Sequence, residues 1–529
     1  MDANRTVLAA GTVWIDKGAI VDVRPTADGP PDGFDGVRPV ATGGTIFPGL
    51  IELHNHLAYN ALRLWDVPEK YTNRDKWGRE EDYRRLVSGP MQVLGPSPEL
   101  MPAVVRWVEC KCLVSGTTTG QGIQLFSNAG ARRYYRGIVR NVEATDDAGL
   151  PHAQAKISDV EAADARSFLR RLGQHECFIL HLSEGTDPAA REHFLALKLP
   201  RRKWALAPSL AGIHCAALEA EDFEVLGRHG CSMVWSPFSN LLLYGATAKI
   251  KAAKAAKLKI GLGSDWSPTG SKNLLGELKV AKLVSDDLGG LFADDELVAM
   301  ATCDAASILR WDGALGTIEN TKRADLIAID STSGDPYRAL IGADEADLRL
   351  VMIGGVARFG LPSMLRRLGA DGEEVKIAGR TRLVDLRQAT GDPAVGAISL
   401  AEAKRRLTDA LQRLRELRVE QESGGMRFAA APGSGDPTLP LRWGLVLDEL
   451  QETGMELRPR AAIAGVDGSG GPGLTPFKAA VPLSEILGPL ELDPLTVAGH
   501  RAEFLAQVKT QINLPKYVAP GLARLYRRR

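Results

Sequence analysis

Five side chains suited to binding a divalent cation stand at the ends of apolar runs. His54 and His56 follow IFPGLIEL, His181 ends CFILH, His214 follows LAGI, and Asp265 follows KIGLGS. If the strand direction continues through a His-x-His pair, both imidazoles fall on one side and can meet one ion. Neutral imidazoles with one carboxylate suit zinc, and iron or manganese accept similar sets. Such an ion lowers the pKa of a water molecule toward neutrality. The reaction then needs a free carboxylate to move the proton, and Glu184, three residues after His181 in HLSEG, is spaced for that role. His214 is a candidate second contact to the water or a stabiliser of developing negative charge.

Side chains of these types at several strand ends call for a barrel, because barrel enzymes carry their chemistry where inner strands finish. The strand candidates are Gly116 to Thr119, Gly137 to Val142, Ala153 to Ile157, Cys177 to His181, Leu210 to His214, Ser232 to Trp235 and Lys259 to Gly263, following the IFPGLIEL run. Helical patterns alternate with them, as in Pro188 to Leu197, Ala217 to His229, Ala246 to Ala256 and Leu274 to Asp287. Eight such units over about 270 residues match an α/β (β/α)₈ TIM-like barrel. Strand patterns return at Asp325 to Asp330, Leu348 to Ile353 and Ala357 to Phe359. A small composite β-sandwich taking strands from both chain ends would explain why the N-terminal strands lack a sheet of their own.

The expected division is N-terminal sandwich strands in 1–47, the hydrolase barrel in 48–320, the remaining sandwich strands in 321–385, and a mainly helical C-terminal extension in 386–529. Within the extension, 398–419 reads as one long amphipathic helix. Arg442 to Thr453 and Leu495 to Ile512 read as further helices, 421–437 as a flexible linker, and Gly468 to Gly473 as a flexible turn. Arg527 to Arg529 read as a frayed basic tail.

Composition narrows the function classes. The 529 residues hold 65 Lys plus Arg against 65 Asp plus Glu, so nothing in the charge balance points to nucleic acid or an anionic membrane. Six cysteines form no disulfide framework, and Cys110 and Cys112 read as half-buried helix residues. The first residues lack a signal-peptide pattern and no run of 18 apolar residues occurs, which together with the cysteines predicts a cytoplasmic protein. A homodimer is expected only as a base rate for enzymes of this size.

PGLIELHNH at 48–56, SGTTT at 115–119, HLSEG at 181–185, His214-Cys215, SPFSNLLL at 236–243, GLGSD at 261–265 and KRADLIAID at 322–330 resemble the amidohydrolase superfamily. They are most similar to its mononuclear branch of adenosine, guanine and S-adenosylhomocysteine deaminases and triazine hydrolases. The resemblance covers roughly 5–360. It implies His54, His56, His181 and Asp265 as metal ligands, Glu184 as proton shuttle, His214 as the group that orients water and polarises substrate, and Asp265 as a further contact to the attacking water. No lysine stands where the binuclear branch carries its carbamate bridge, so one ion is implied. Trp235-Ser236-Pro237 departs from the His-Cys-Pro common in the deaminases, and Thr321 replaces a usual glycine.

The reading is therefore a metal-dependent hydrolase of a C–N bond in a cyclic amide, aminated heterocycle or related small molecule, of deaminase or amidase type. The alternatives are expulsion of chloride or thiolate, or a non-catalytic metal-binding barrel. Substrate contacts are expected from Gln121, Gln124, Trp235, Ser239, Asn240 and Trp266. The excursion Leu57 to Leu100, carrying Trp65, Tyr71, Trp77, Tyr83, Arg63, Arg74 and Arg79, reads as a lid.

Overall fold

The structure is a computed structural model that describes residues 1–78, 80–145, 147, 149–331, 334–388, 391–423, 441–448 and 481–527. Eight short parallel strands form its centre: β1 (Leu50–Glu52), β2 (Thr117–Gly120), β3 (Arg140–Asn141), β4 (Gln154–Lys156), β5 (Phe178–Leu182), β6 (Leu210–His214), β7 (Ser232–Trp235) and β8 (Lys259–Leu262). They run in two ladders, β1–β2–β3 and β4 to β8. Backbone hydrogen bonds join the ladders at both ends. Ala153 N donates to Val142 O at 2.8 Å between β3 and β4. Beyond β8 and β1, His56 N donates to Asp265 O at 2.7 Å and Asp265 N to His54 O at 3.0 Å. The ring is a (β/α)₈ barrel. Every residue of β5 and β6 is buried, as expected of strands covered by side chains inside and by helices outside.

A second sheet lies against the barrel. Its six antiparallel strands, in spatial order, are Glu373–Ile377, Arg380–Val384, Val356–Gly360, Leu348–Ile353, Leu326–Ile329 and Thr45–Pro48. The apolar run IFPGLIEL, read in sequence as one strand, is thus divided between two sheets. Thr45–Pro48 pairs with Leu326–Ile329, whereas Leu50–Glu52 pairs with β2. The division falls at Gly49, where a side chain would collide with Thr118, whose Cβ would lie 2.8 Å from the added carbon. The N-terminal hairpin, Gly11–Asp16 with Ala19–Pro25, is a separate two-stranded pair. Ile20, with Val13, Ile15 and Val23, packs it onto the apolar face that Leu326, Ala328, Leu350 and Leu383 present.

The C-terminal extension departs furthest from its sequence patterns. The helix expected over 398–419 is two helices, Leu400–Gln412 and Leu414–Ser423, with a break at Arg413. Leu495 to Ile512 shortens to the helix Arg501–Thr510. The helix expected from Arg442 begins instead as a strand, Trp443–Leu445, antiparallel to Gln124–Ser127. An unpaired edge of the Gln124–Ser127 hairpin accepts three apolar or small residues there, so tertiary pairing overrides helical spacing. Residues 449–453 of that expected helix, 424–437 of the linker, Gly468 to Gly473, and Arg528 and Arg529 lie outside the described residues.

The extension's helix Leu400–Gln412 packs on the helix Met101–Val114, nearly every residue of which is buried, Cys110 and Cys112 included, rather than half-buried as expected. Asp493 of the extension is buried between Lys111 and Lys272, with Lys272 Nζ at 2.7 Å, and its backbone N donates to Ala61 O at 2.9 Å. Among the described residues no helix is long and apolar enough to cross a membrane.

Replacing Gly49 by alanine forces β1 and β2 apart at their entry. Gly49→Ala is expected to destabilise the protein by about 1–3 kcal/mol, read as a lower urea midpoint. An unchanged midpoint contradicts this account of the strand division.

Candidate metal centre

The seam between β8 and β1 brings three candidate ligands together. Because the backbone of Asp265 bonds to both His54 and His56, its carboxylate turns toward both rings. Asp265 Oδ1 lies 3.1 Å from His54 Nε2 and 3.5 Å from His56 Nε2. Two ligands on one tetrahedral zinc, each bonded at about 2.0–2.1 Å, stand roughly 3.3 Å apart, so this spacing fits a shared ion. His181, within β5, and His214, at the end of β6, face the same point. The ring centroid of His54 is 4.6 Å from that of His181 and 5.2 Å from that of His214.

Two observations favour a cation there. His54 Nε2 and His181 Nδ1 are buried and make no hydrogen bond. Burial lowers the pKa of His54, lowers that of His181 further with help from the neighbouring imidazoles, and brings His214 down to about 4. Three imidazoles therefore stay neutral, and His54 and His181 keep a buried ring nitrogen free to donate its lone pair. Asp265 is held well below the usual carboxylate range, its imidazole neighbours outweighing the opposing effect of burial. Four non-glycine residues at these strand mouths adopt left-handed backbone: Ser183 at φ 52°, His214 at 63°, Cys215 at 50° and Asp265 at 65°. Conformations of this kind persist only where surrounding structure enforces them.

Around this core stand the supports. His54 Nδ1 is 3.0 Å from Gln121 Oε1, and Gln121 Nε2 in turn reaches Glu143 at 3.4 Å. Glu184 Oε1 accepts from Tyr244 OH at 2.7 Å, and Oε2 lies 3.7 Å from His214 Nε2. Burial raises the Glu184 pKa against the opposing pull of Arg74, whose Nη1 is 4.0 Å away. Asn240 Nδ2 lies 3.1 Å from His214 Nδ1. With Asn240 donating, Nδ1 is the acceptor and the proton of His214 sits on Nε2, facing Glu184.

The residues singled out in the sequence separate into two groups here. His56, His181, Glu184, His214, Asp265 and Trp266 line one cavity with Arg74, Trp77, Tyr83 and Asp448. Gln121 and Gln124 line a neighbouring cleft that shares His56, His181 and Asp448 with the first. Trp235 does not reach either: its ring is fully buried near Phe292 and its Nε1 donates to Thr247 at 2.8 Å. Although Trp235 ends β7, its ring turns to the side of Thr247 and Phe292 rather than into the cavity, which accounts for this. Ser239 bonds Thr269 at 2.9 Å, also away from the cavity, and Asn240 acts on His214.

The excursion 57–100 is a set of short helices whose Asn73–Arg74 segment docks on Glu184 and Gly185. Trp77 and Tyr83 face the cavity, Trp65 and Tyr71 pack in the core, and Arg63 pairs with Glu491 and Glu503 of the extension. Arg79 lies outside the described residues. Arg74, read in the sequence as part of the lid, does reach the cavity, whereas Tyr244 and Asp448 went unread in the sequence. Tyr244 sits one helical turn after Asn240 in SPFSNLLLY, a usable signal, whereas nothing local marks Asp448.

Residues 188–358 match the amidohydrolase family. This chain carries an amidohydrolase domain. It is 23% identical over 381 residues to the 5-methylthioadenosine/S-adenosylhomocysteine deaminase of Symbiobacterium thermophilum, covering 63% of this chain and 83% of that one. It is 24% identical over 365 residues to the enzyme of the same name from Moorella thermoacetica, covering 61% and 82%. Among solved structures, the guanine deaminase of Bradyrhizobium japonicum aligns with a TM-score of 0.50 at 16% identity, covering 66% of this chain and 92% of that one. That likeness bears on the fold of the amidohydrolase domain.

The helix Pro237–Tyr244, which carries both Asn240 and Tyr244, is pinned at its start by Phe238 N donating to Glu277 Oε1 at 2.9 Å. Burial pushes the Glu277 carboxyl up to about 8, against its bonds to Ser271 and Phe238. The native state therefore keeps a proton that the unfolded chain, with the ordinary value of 4.5, has released. The associated stability is present below 4.5 and lost as pH rises through about 8. In Glu277→Gln the loss is absent, so its Tm minus the wild-type Tm becomes more positive as pH rises across that window. A pH-independent difference sinks this assignment.

Proposed function

We propose that this amidohydrolase domain is a hydrolase that releases ammonia or an amine from an electron-poor carbon of a small molecule, using one divalent ion, zinc in the first instance. The carrying observation is Glu184: a buried carboxylate that shares a cavity with three histidines, holds one tyrosine hydroxyl, and leaves Oε2 facing His214. A structural barrel has no need of an ionisable group in that position. The deaminase relatives support nitrogen as the departing atom.

His54, His56, His181 and Asp265 are the residues that would hold the ion. When bound, it supplies Lewis acidity and makes a water proton easier to remove. Glu184 accepts that proton as the water oxygen bonds to carbon. It then passes the proton to the nitrogen as the C–N bond breaks, so one carboxylate is base and then acid. The raised Glu184 pKa favours both halves of this exchange. Neutral His214, protonated on Nε2 and backed by Asn240, donates to the oxygen or ring atom that gains negative charge. Tyr244 holds Glu184 in place.

Trp266 stands 5.2 Å from the His56 ring and, with Trp77 and Tyr83, forms an aromatic wall that suits a planar heterocycle. The division into a barrel over 48–320, a sheet unit from 1–47 and 321–385, and an extension over 386–529 belongs to the same reading.

Glu184→Gln is expected to keep its metal and lose about 10²–10⁴-fold in turnover. His181→Ala is expected to lose metal as well as turnover. Elemental analysis with an ammonia-release screen over cyclic amides, aminated heterocycles and N-acyl compounds checks both. Wild-type protein without metal, or Glu184→Gln with undiminished turnover, overturns the proposal.

A further inference from the structure

The two histidines of the His-x-His pair are each held from behind, and by very different parts of the chain. His54 Nδ1 meets Gln121 Oε1 at 3.0 Å, a residue just beyond β2. His56 Nδ1 meets Asp448 Oδ2 at 2.7 Å, nearly 400 residues away in sequence and inside the C-terminal extension. In both rings Nε2 is thereby left to face Asp265 and the shared centre. We propose that Asp448 is a positioning residue for the metal centre: through Nδ1 it sets the tautomer and tilt of His56, so that the extension completes the ligand set of the barrel. This rests on the metal-dependent reading above.

The delivery of Asp448 is built rather than incidental. Trp443–Leu445 adds to the Gln124–Ser127 edge, Leu445 N donates to Gly95 O at 2.9 Å, and Val446 N donates to Gln124 O at 2.9 Å. The Arg133 guanidinium stacks over the Trp443 ring at 4.5 Å. Asp448 N then donates to Tyr59 OH at 3.1 Å, which places the carboxylate on the wall common to the metal cavity and the neighbouring cleft. Carboxylates behind ligand histidines fix ring orientation and raise ligand basicity, and losing one weakens metal binding by about 10–100-fold. Reciprocity follows: if Asp448 tightens the metal, the metal must tighten the docking of 443–448.

The test uses the full-length protein with zinc as probe. Zinc affinity by chelator competition should fall in the order wild type, Asp448→Asn, Asp448→Ala, with the alanine variant about 10–100-fold weaker. Zinc should slow amide exchange at Leu445 and Val446 in the wild type and not in Asp448→Ala. A role confined to folding would leave this zinc-dependent protection intact once the apo proteins melt alike. Wild-type affinity in Asp448→Ala overturns the proposal, and if that variant does not fold, wild-type affinity in Asp448→Asn does so. Wild-type protein that binds no zinc overturns the metal reading itself, a separate outcome from zinc bound equally well with and without Asp448.

Discussion

One backbone seam governs this molecule. Where β8 returns to β1, the peptide of Asp265 donates to His54 O and accepts from His56 N. Barrel closure and the placement of the candidate ligands are consequently one event, since the same two hydrogen bonds join β8 to β1 and bring a carboxylate against two imidazoles. The approach is close enough that Gly263 has no room for a side chain, whose first carbon would lie 2.9 Å from His54 O. Asp265 in turn accepts left-handed backbone at φ 65°. The geometric cost of the site is carried by the strands that form the core.

Around the seam, burial is the dominant electrostatic force. It keeps His54, His181 and His214 neutral, and it raises Glu184 together with Glu52, Glu143 and Glu277, the last three to about 7, 7 and 8. His56 runs the other way, up to about 9, because Asp448, Asp265 and Glu184 outweigh its desolvation. A proton and a divalent cation compete for the same imidazole nitrogen. The acidic surroundings that make His56 basic are therefore those that favour a metal at its Nε2.

The extension gives the barrel mouth a second roof. Asp493, buried with Lys111 and Lys272, and Asp448, set against His56, attach it at two points near the loops that carry His54, His56 and Trp266. Lys111 Nζ donates to Asn60 O at 2.8 Å and to Ser267 Oγ at 3.0 Å, so the buried charge cluster also braces those loops. The cavities at the barrel mouth are accordingly lined by three separate stretches besides the strand ends: the excursion 57–100, the hairpin after β2, and 443–448.

Much of the barrel and its inner histidines was legible in the amino-acid order. Strands buried on both faces leave uninterrupted apolar runs, and a polar residue that ends such a run is conspicuous; His54, His56, His181, His214 and Asp265 all carry that local mark. Trp235 carries a similar one and misleads, because direction across a strand is settled by packing rather than position. The split of IFPGLIEL at Gly49 was hidden for a related reason: both halves are apolar, and only the contact with Thr118 separates the sheets. Asp448 has no local mark at all. Its neighbours have helical spacing, and they become a strand because a sheet edge some 320 residues earlier is unpaired. The sequence alone determined which groups can bind an ion, since burial patterns are local. Which distant carboxylate stands behind His56 was decided only by tertiary structure, because that contact depends on long-range pairing that no nearby residue encodes.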